Sequence, residues 1–501
     1  MIVGLWVAAA FATYRPWIRA PFAATDYSEF LPLLTRNRSA TDQFRALNRY
    51  FLLQGRSHSL AHAFTVLNWQ LFGGNPVGWQ LLRCALMAGA LIGAYVLYVK
   101  LGVHRVAGAL AVALFAWSSP AIYGWIRFNN EPIALIVLIA ALWAADGYQS
   151  ARHWPLRAAF IGLAIATIGL IKEVLISVTP VLVVLACCID EDGRWSGPRL
   201  SRRNLTVLAL AAGAAAAIAV RAAVNLATVP PEEVYGYGYG MQHVSLSHAL
   251  ELIREFSLPV SARESWVAHA ARFPGNLLFL LVALLGWWRL AASPAAGGVR
   301  ARDLVLGVGL PALGVLAYLP WRKFDPFYPI PYLVGSGFLF VRALCSLVRS
   351  GSIVARLGTT AWVLGSMLAA LTAQRRATNE LAEREVGAAA AQIIGMTSKA
   401  RDVVVVSGPN PWGSTGGVGY RLREYALAIG YSEPAVVRDS ACQSHDSIPH
   451  TPAGPEVVLV YVPPCRALPL PTMRIKRYFG YRDLWGLRFV TNSLMVDVFE
   501  R

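Results

Sequence analysis

Apolar runs long enough to cross a lipid bilayer recur through the first three quarters of this 501-residue chain. A bilayer core of about 30 Å needs roughly 20 mainly apolar helical residues, whose backbone polar groups are satisfied within the helix. Hydrophobic residues make up 56% of the chain and charged residues only 15%, which excludes an ordinary soluble domain. The sequence therefore predicts a membrane protein that crosses the bilayer many times.

We predict about eleven transmembrane helices from these runs, and we interpret the first run as a membrane helix because it lacks the basic start of a signal peptide. They cover residues 2–17, 79–99, 106–123, 133–145, 158–171, 174–189, 205–224, 276–290, 304–321, 330–348 and 357–373. With a cytoplasmic N-terminus, every short inner loop carries arginine or lysine, as the positive-inside rule requires. This orientation places residues 23–78, 123–132, 225–274 and 375–501 outside the cytoplasm.

The C-terminal region, 375–501, differs in character from the transmembrane region, 1–374. The stretches "RDVVVV" and "EVVLVYV" are typical of buried strands, and a Gly-rich loop and a helix follow the first of them. Alternating strands and helices predict a small extracytoplasmic α/β domain. Its "GSTGGVG" lacks the lysine of a phosphate-binding loop. Cys442 and Cys465 fall in this polar region and could form a disulfide if it lies outside the cytoplasm.

The most unusual charges in the chain are Lys172 and Glu173, which interrupt the apolar run "AIATIGLIKEVLISVTPVLVVLACC". The run is too long for one span, so the pair predicts a turn between two helices at the outer membrane face. A lysine at the level of the lipid headgroups is well placed to bind a lipid phosphate. Glu173 is expected to orient that lysine or to cap the next helix.

Two groups of acidic residues border predicted spans on the predicted outer face. In "ATDYSEFLP", Asp26 and Glu29 are three residues apart and share a face if the segment is helical. Such a carboxylate can act as a general base or hold a divalent cation, although capping of a helix is an equally good explanation. In "YGWIRFNNEPIAL", Arg127 and Glu131 precede a span, where Glu131 is also favoured by the helix dipole.

Cations complete the outer face. "YLPWRKFDPFYPIPYL" places Arg322 and Lys323 in a short outer turn, against the positive-inside trend, beside Tyr328 and Tyr332. The tyrosines alone are also typical of an aromatic belt at the interface. Arg83 lies within a predicted span and is a functional candidate for that reason. Carboxylates beside phosphate-binding cations favour transfer of a group from a lipid phosphate to an acceptor nucleophile.

The order of these motifs resembles the GT-C superfamily of integral-membrane glycosyltransferases, especially the branch with protein O-mannosyltransferases and the lipid A aminoarabinose transferase. The likeness covers residues 2–332. It is carried by "TDYSEF", "WQLLRCALMAGALIGAYVLY", "LFAWSSPAIYGWIRFNNEPIALIVLIAAL", "GLIKEVLISVTPVLV" and "YLPWRKFDPFYPIPYL". No single motif is specific, but their order and shared outer location are.

The resemblance implies a polyprenyl-phosphate-linked sugar as donor, inversion at the anomeric carbon, and a site at the outer face of the cytoplasmic membrane. It implies that Asp26 is the general base, that Glu131 is a second acidic residue near acceptor or metal, and that Lys172 binds the donor phosphate. We expect Arg322, Lys323 and Arg83 to share the phosphate. The substrate-binding residues expected beside them are Glu29, Arg127, Glu173, Tyr328 and Tyr332.

The sequence departs from the family after Asp26, where Tyr27 stands instead of the second acidic residue of many relatives, so a divalent metal is an option rather than an expectation. The expected partners are membrane lipid and a glycan, lipid or protein acceptor. Nucleic acid is not expected despite the net charge of +17, because the basic residues form no binding stripe. The competing interpretations are a transporter or flippase of lipid-linked sugars and a non-catalytic partner in envelope assembly.

Overall fold

A computed structural model places most of the helical region and the strands of the C-terminal region. The residues described are 2–19, 30–53, 56, 58–126, 130–198, 200–228, 245–257, 281–282, 284–289, 300–320, 328–349, 352–368, 370–371, 402–407, 436–441, 457–462, 474–479 and 495–500.

The chain is mostly helical. Its α-helices are α1 (Ile2–Tyr14), α2 (Leu31–Arg36), α3 (Ala40–Leu52), α4 (Ser59–Phe72), α5 (Pro76–Lys100), α6 (Arg105–Trp117), α7 (Ser119–Ile126), α8 (Glu131–Ala145), α9 (Trp154–Ile171), α10 (Thr179–Cys188), α11 (Arg202–Thr228), α12 (Leu246–Ser257), α13 (Ala301–Tyr318), α14 (Leu333–Arg349) and α15 (Ile353–Leu368). Helix α13 contains a π-helical segment over Val305–Gly309. Short 3-10 helices cover Arg15–Arg19, Glu173–Val178 and Ile330–Tyr332.

Five of the described helices are long and apolar enough to cross a membrane: α5, α9, α11, α13, and α14 with its preceding turn. Shorter apolar helices are α1, α6, α8, α15, and α10 together with the 3-10 turn before it. These helices coincide with the predicted apolar runs, apart from the run 276–290, which is described only in part. The prediction of an integral membrane protein is therefore confirmed.

Helix starts and breaks follow the sequence locally. Pro132, Pro155 and Pro180 occupy the first turn of α8, α9 and α10, where a missing amide proton costs no intrahelical bond. The prediction of one helix over 106–123 is wrong, because the chain is extended at Ser118, with φ −64° and ψ 149°, and α7 begins at the next residue.

The described chain divides into two compact units. The first comprises Met1–Arg15, Tyr50–Ala63 and Leu81–Gln374, and the second comprises Pro16–Arg49, Phe64–Gln80 and Arg375–Arg501.

In the first unit, α14 is enclosed by its neighbours. The Tyr98 hydroxyl of α5 donates to the Val334 carbonyl at 3.0 Å, and the Tyr98 ring packs against Phe338. A Cβ added to Gly335 would lie 2.5 Å from the Leu306 carbonyl oxygen of α13. The lack of a side chain at Gly335 therefore permits the close approach of α13 and α14.

Buried ion pairs join helix ends in the same unit. Asp146, which follows α8, lies 3.0 Å from an Arg302 guanidinium nitrogen and 3.5 Å from Lys100 Nζ. One residue after Arg302, Asp303 lies 3.2 Å from Arg342. Lys100, Asp146, Arg302 and Asp303 belong to the helix ends that the predicted orientation places in the cytoplasm, and Arg342 lies within α14; the pairs connect α5, α8, α13 and α14.

The second unit contains a five-stranded sheet of order β2-β1-β3-β5-β4. The strands are β1 (Asp402–Ser407), β2 (Val436–Ala441), β3 (Val457–Val462), β4 (Arg474–Phe479) and β5 (Met495–Glu500). Strand β1 is parallel to β2 and β3, whereas β5 is antiparallel to β3 and β4. The strands predicted from "RDVVVV" and "EVVLVYV" are β1 and β3; the predicted Gly-rich loop and helix lie outside the described residues.

The contact at Gly335 predicts a stability difference between two glycine substitutions. We expect Gly335→Ala to destabilise the protein by about 1–3 kcal/mol, because the added methyl group meets backbone that cannot move aside. Gly213→Ala, on α11, meets nothing within 4 Å and should not destabilise. Thermal unfolding in detergent measures both variants; an equal loss in the two would contradict the close approach.

Candidate functional site

The site begins where α9 ends. The Lys172 amide donates to the Ile168 carbonyl at 3.0 Å and closes the helix, while the Lys172 backbone itself is extended, with φ −159° and ψ 113°. A 3-10 helix then runs over Glu173–Val178, and α10 starts at Thr179. The prediction that Lys172 and Glu173 lie between two helices is confirmed.

Lys172 makes a short ion pair with Glu131. The distance from Nζ to Oε1 is 2.8 Å, and the two side chains are only 14% and 6% exposed. Glu131 is the first residue of α8, where the positive end of the helix dipole favours a carboxylate. The pair therefore compensates two charges that would be costly if buried singly.

Aromatic rings form the other wall around Lys172. Nζ lies 3.4 Å from the centre of the Tyr328 ring and 5.8 Å from that of Tyr318. The two rings stack at 5.0 Å with an angle of 19° between their planes. A cation over the face of a tyrosine is attracted by its ring electrons, so Tyr328 adds to the hold of Glu131 on the ammonium.

The aromatic wall continues to Phe256 of α12, which stacks on Tyr318 at 5.6 Å and meets the edge of Tyr332 at 5.1 Å. The Tyr332 hydroxyl is 2.7 Å from Ser177 Oγ, and either oxygen is able to donate. Ser177 belongs to the same 3-10 turn as Glu173. We name Lys172, Glu131, Tyr328, Tyr318, Phe256, Tyr332 and Ser177 the Lys172 cluster.

Glu173 has a different partner from its neighbour. Its Oε2 lies 3.0 Å from Nε2 of His58, a residue just before α4. The His62 ring lies 6.1 Å from that of His58 and stacks on Phe51 at 4.7 Å. Burial, followed by the charge of His58, lowers the pKa of His62 to about 3, so His62 is neutral near pH 7.

Two further arginines lie on membrane-span candidates of the same unit, α5 and α11. Arg83 is buried within α5. Arg221 of α11 donates through Nη2 to the Ser59 hydroxyl at the start of α4. Arg221 also contributes to lowering the pKa of His62.

The structure thus brings together three of the predicted site residues, Glu131, Lys172 and Tyr328, and links Tyr332 to them. The predicted residues Asp26, Glu29, Arg127, Arg322 and Lys323 lie outside the described ranges. Sequence reasoning missed His58, Ser177, Phe256 and Tyr318. The position of Tyr318 next to the basic outer turn could have indicated its role. No sequence pattern indicates the pairing of His58 with Glu173.

Metal binding remains a prediction. The described ranges contain no group of three or more His, Cys, Asp or Glu side chains that could hold a metal ion. The carboxylates for which a divalent cation was considered, Asp26 and Glu29, are not among the residues that the structure describes.

Comparison with solved structures identifies the fold. The crystal structure of ArnT from Cupriavidus metallidurans bound to undecaprenyl phosphate aligns with a TM-score of 0.50 at 14% identity, over 99% of this chain and 97% of that chain. The apo state of that protein aligns with a TM-score of 0.49 at 14% identity, again over 99% and 97% of the two chains. An Archaeoglobus fulgidus oligosaccharyltransferase in complex with Zn and sulfate gives 0.46 at 9% identity, over 87% of this chain and 62% of that chain.

The ArnT likeness extends over nearly the whole of both chains, and the predicted resemblance to the fold of the aminoarabinose transferase is confirmed. No family model matches the sequence, and the search of curated proteins also finds no match. The evidence from the comparisons is therefore evidence of fold.

The Lys172–Glu131 pair predicts strong coupling between two substitutions. Glu131→Gln and Lys172→Met should each destabilise the protein, because each leaves one poorly hydrated charge, by as much as about 3–5 kcal/mol. The double variant should lose less than the sum, with a coupling of about 1 kcal/mol or more. Thermal unfolding of the three variants in detergent measures the coupling.

The exposed pair of Arg45 with Asp42 supplies the matched control, since its side chains are 74% and 55% exposed at 3.8 Å. Its cycle should give no more than about 0.5 kcal/mol. Additive losses at Glu131 and Lys172 would contradict the pairing.

His62 predicts an acid-sensitive stability. An unfolded histidine has a pKa of about 6.5, whereas the folded state holds His62 neutral down to about pH 3, so the unfolded chain binds the proton first. Stability should therefore fall as pH is lowered from about 6.5 towards 3, by at most about 1.4 kcal/mol per pH unit from this residue. His62→Gln should flatten that slope in thermal unfolding, whereas His153→Gln, at an exposed position, should retain it.

Proposed function

We propose that this chain is an integral-membrane glycosyltransferase that moves a sugar from a polyprenyl-phosphate donor to an acceptor at the outer face of the cytoplasmic membrane. The Lys172 cluster is the observation that carries the proposal. It holds a cation at the end of candidate membrane span α9, beside a carboxylate and tyrosines. A lipid phosphate is an anion that lies at the membrane surface, near the ends of membrane spans, so a cation fixed at a span end suits it.

The fold supports the same conclusion. The ArnT structure that aligns along 97% of its own length contains bound undecaprenyl phosphate. We infer that the present chain takes a donor of this lipid class, because its fold likeness is combined with a lysine at the level where a lipid phosphate lies. The acceptor is a glycan, lipid or protein nucleophile, and the C-terminal region 375–501 is the proposed extracytoplasmic domain.

The proposed reaction is a single displacement that inverts the anomeric carbon. Asp26 accepts the proton of the acceptor hydroxyl or amine, whose oxygen or nitrogen forms a bond to the anomeric carbon. The bond between this carbon and the phosphate oxygen breaks, and its electron pair leaves with polyprenyl phosphate. Cations stabilise the growing charge on that phosphate, and we assign this role to Lys172, Arg322, Lys323 and Arg83.

Glu131 receives a more specific role than that of a second acid. Because its carboxylate lies 2.8 Å from Lys172 Nζ, Glu131 orients the ammonium group and partly compensates its positive charge. The face of the Tyr328 ring supports Lys172. The turn after Lys172 is held by the contact of Tyr332 with Ser177 and by the contact of His58 with Glu173. Glu29 and Arg127 are proposed to line the sugar or the acceptor.

A divalent cation is not required by these steps. Carboxylates such as Asp26 and Glu29 are oxygen ligands of the kind that hard divalent cations prefer. A cation held there would help to orient the donor phosphate. The roles assigned to the residues of this chain are the same with or without it.

Activity measurements on the purified protein in liposomes test the proposal. With a polyprenyl-phosphate sugar and a crude acceptor fraction, we expect release of polyprenyl phosphate. Asp26→Asn should lower kcat by about 10²–10⁴-fold, the usual contribution of a general base. Lys172→Met should raise KM for the donor and also lower kcat, because a phosphate ligand acts in both the bound state and the transition state.

Lys100→Met is the matched control, since it removes a lysine that pairs with Asp146 rather than with Glu131. It should leave KM for the donor unchanged. Unaltered release by Asp26→Asn would overturn the assignment of the base. Movement of intact lipid-linked sugar across the bilayer without release of polyprenyl phosphate would instead establish a flippase.

A further inference from the structure

Helix α12 presents apolar residues on two separate faces. Leu252 and Phe256 are buried. By contrast, Leu246, Leu250 and Ile253 are 76%, 56% and 47% exposed. Spacings of four and three residues place these three side chains along one side of the helix. The exposed side is therefore a continuous apolar stripe rather than scattered residues.

The buried face of α12 fixes its position at the end of a membrane span. Phe256 stacks on Tyr318, the last residue of candidate span α13, and meets the edge of Tyr332. Tyrosines at a span end are typical of the boundary between lipid and water. The contact places the C-terminal end of α12 beside the end of that candidate span.

The candidate span that Phe256 contacts has apolar residues on its outward side. Candidate span α13 exposes Leu304, Val308 and Leu316, and Leu316 is two residues from Tyr318. The outward side of a membrane span is covered by acyl chains. Helix α12 therefore packs through Phe256 against the end of a candidate span whose outward side is apolar, whereas Ser247 on another side of α12 is exposed and polar.

We propose that α12 lies in the plane of the membrane interface, with Leu246, Leu250 and Ile253 among the acyl chains, and that Phe256 couples this position to the Lys172 cluster. An amphipathic helix in this position is held by the apolar side chains that it buries in lipid. The contacts from Phe256 to Tyr318, from Tyr318 to Tyr328 and from Tyr328 to Lys172 form the connection. Loss of the lipid contact should loosen the wall around Lys172.

The coupling deepens the proposed function, and it rests on that function only for the role of Lys172 as a ligand of the donor phosphate. Both tests below are independent of transferase activity. Their failure is therefore distinguishable from failure of the proposed reaction.

Spin labelling of the full chain in lipid nanodiscs tests the location of α12. A label at Leu250→Cys, with Cys442 and Cys465 replaced by serine, should collide with oxygen far more than with a water-soluble nickel chelate. A label at Ser247→Cys should show the opposite preference. Greater access of the chelate at both positions would place α12 in water, and a label at position 250 shielded from both reagents would indicate a protein partner, such as a second copy; either result overturns the proposal.

Amine acylation followed by mass spectrometry tests the coupling. In nanodiscs, the combined change Leu246→Ser, Leu250→Ser and Ile253→Ser should raise the labelling rate of Lys172 several-fold and leave that of Lys100 unchanged. Leu200→Ser, at an exposed apolar residue of a loop, should change neither rate. An unchanged rate at Lys172, or an equal rise at Lys100, would overturn the coupling.

Discussion

The ion pair between Lys172 and Glu131 is the interaction on which the arrangement of this site depends. Both side chains are mostly removed from water, and each would be expensive to bury alone. The lysine ends α9, and the glutamate begins α8, so their pairing holds a helix end and a helix start at the same depth. The extended backbone at Lys172 is what lets its side chain leave the helix surface and reach Glu131.

Aromatic residues surround the ammonium group of Lys172 and connect it to α12. Tyr328 faces the ammonium, Tyr318 stacks behind it, and Phe256 brings in α12. Rings at such a site serve two purposes, because they stabilise the cation and exclude water from it. In the proposed function, a lysine held in this way is pre-positioned for an anionic headgroup and does not have to be ordered when the donor arrives.

A second polar layer holds the same unit at other helix ends. Asp146 joins Arg302 and Lys100, and Asp303 joins Arg342. These pairs join the ends of α5, α8 and α13 to the middle of α14, with apolar helical segments between them and the Lys172 cluster. Pairs of this kind fix helix register, since sliding one helix by a turn would leave buried charges without partners.

The sequence was sufficient to predict the helices whose apolar runs are long, since burial in lipid imposes a requirement on every residue of a span. It also predicted that Lys172 and Glu131 lie on one face, because both charges border apolar runs. The partner of Glu173 was not predictable, because His58 is distant in sequence and no local pattern encodes a tertiary contact. The break at Ser118 was missed since apolar composition is similar on both sides of it. The roles of Asp26, Arg322 and Lys323 stay predictions.

An electron cryo-microscopy map of the protein in nanodiscs with polyprenyl phosphate would locate the phosphate of the donor lipid. We expect phosphate density within hydrogen-bonding distance of Lys172 Nζ, on the side of the Tyr328 ring. Phosphate density at the helix ends around Asp146 and Lys100, with none beside Lys172, would contradict it.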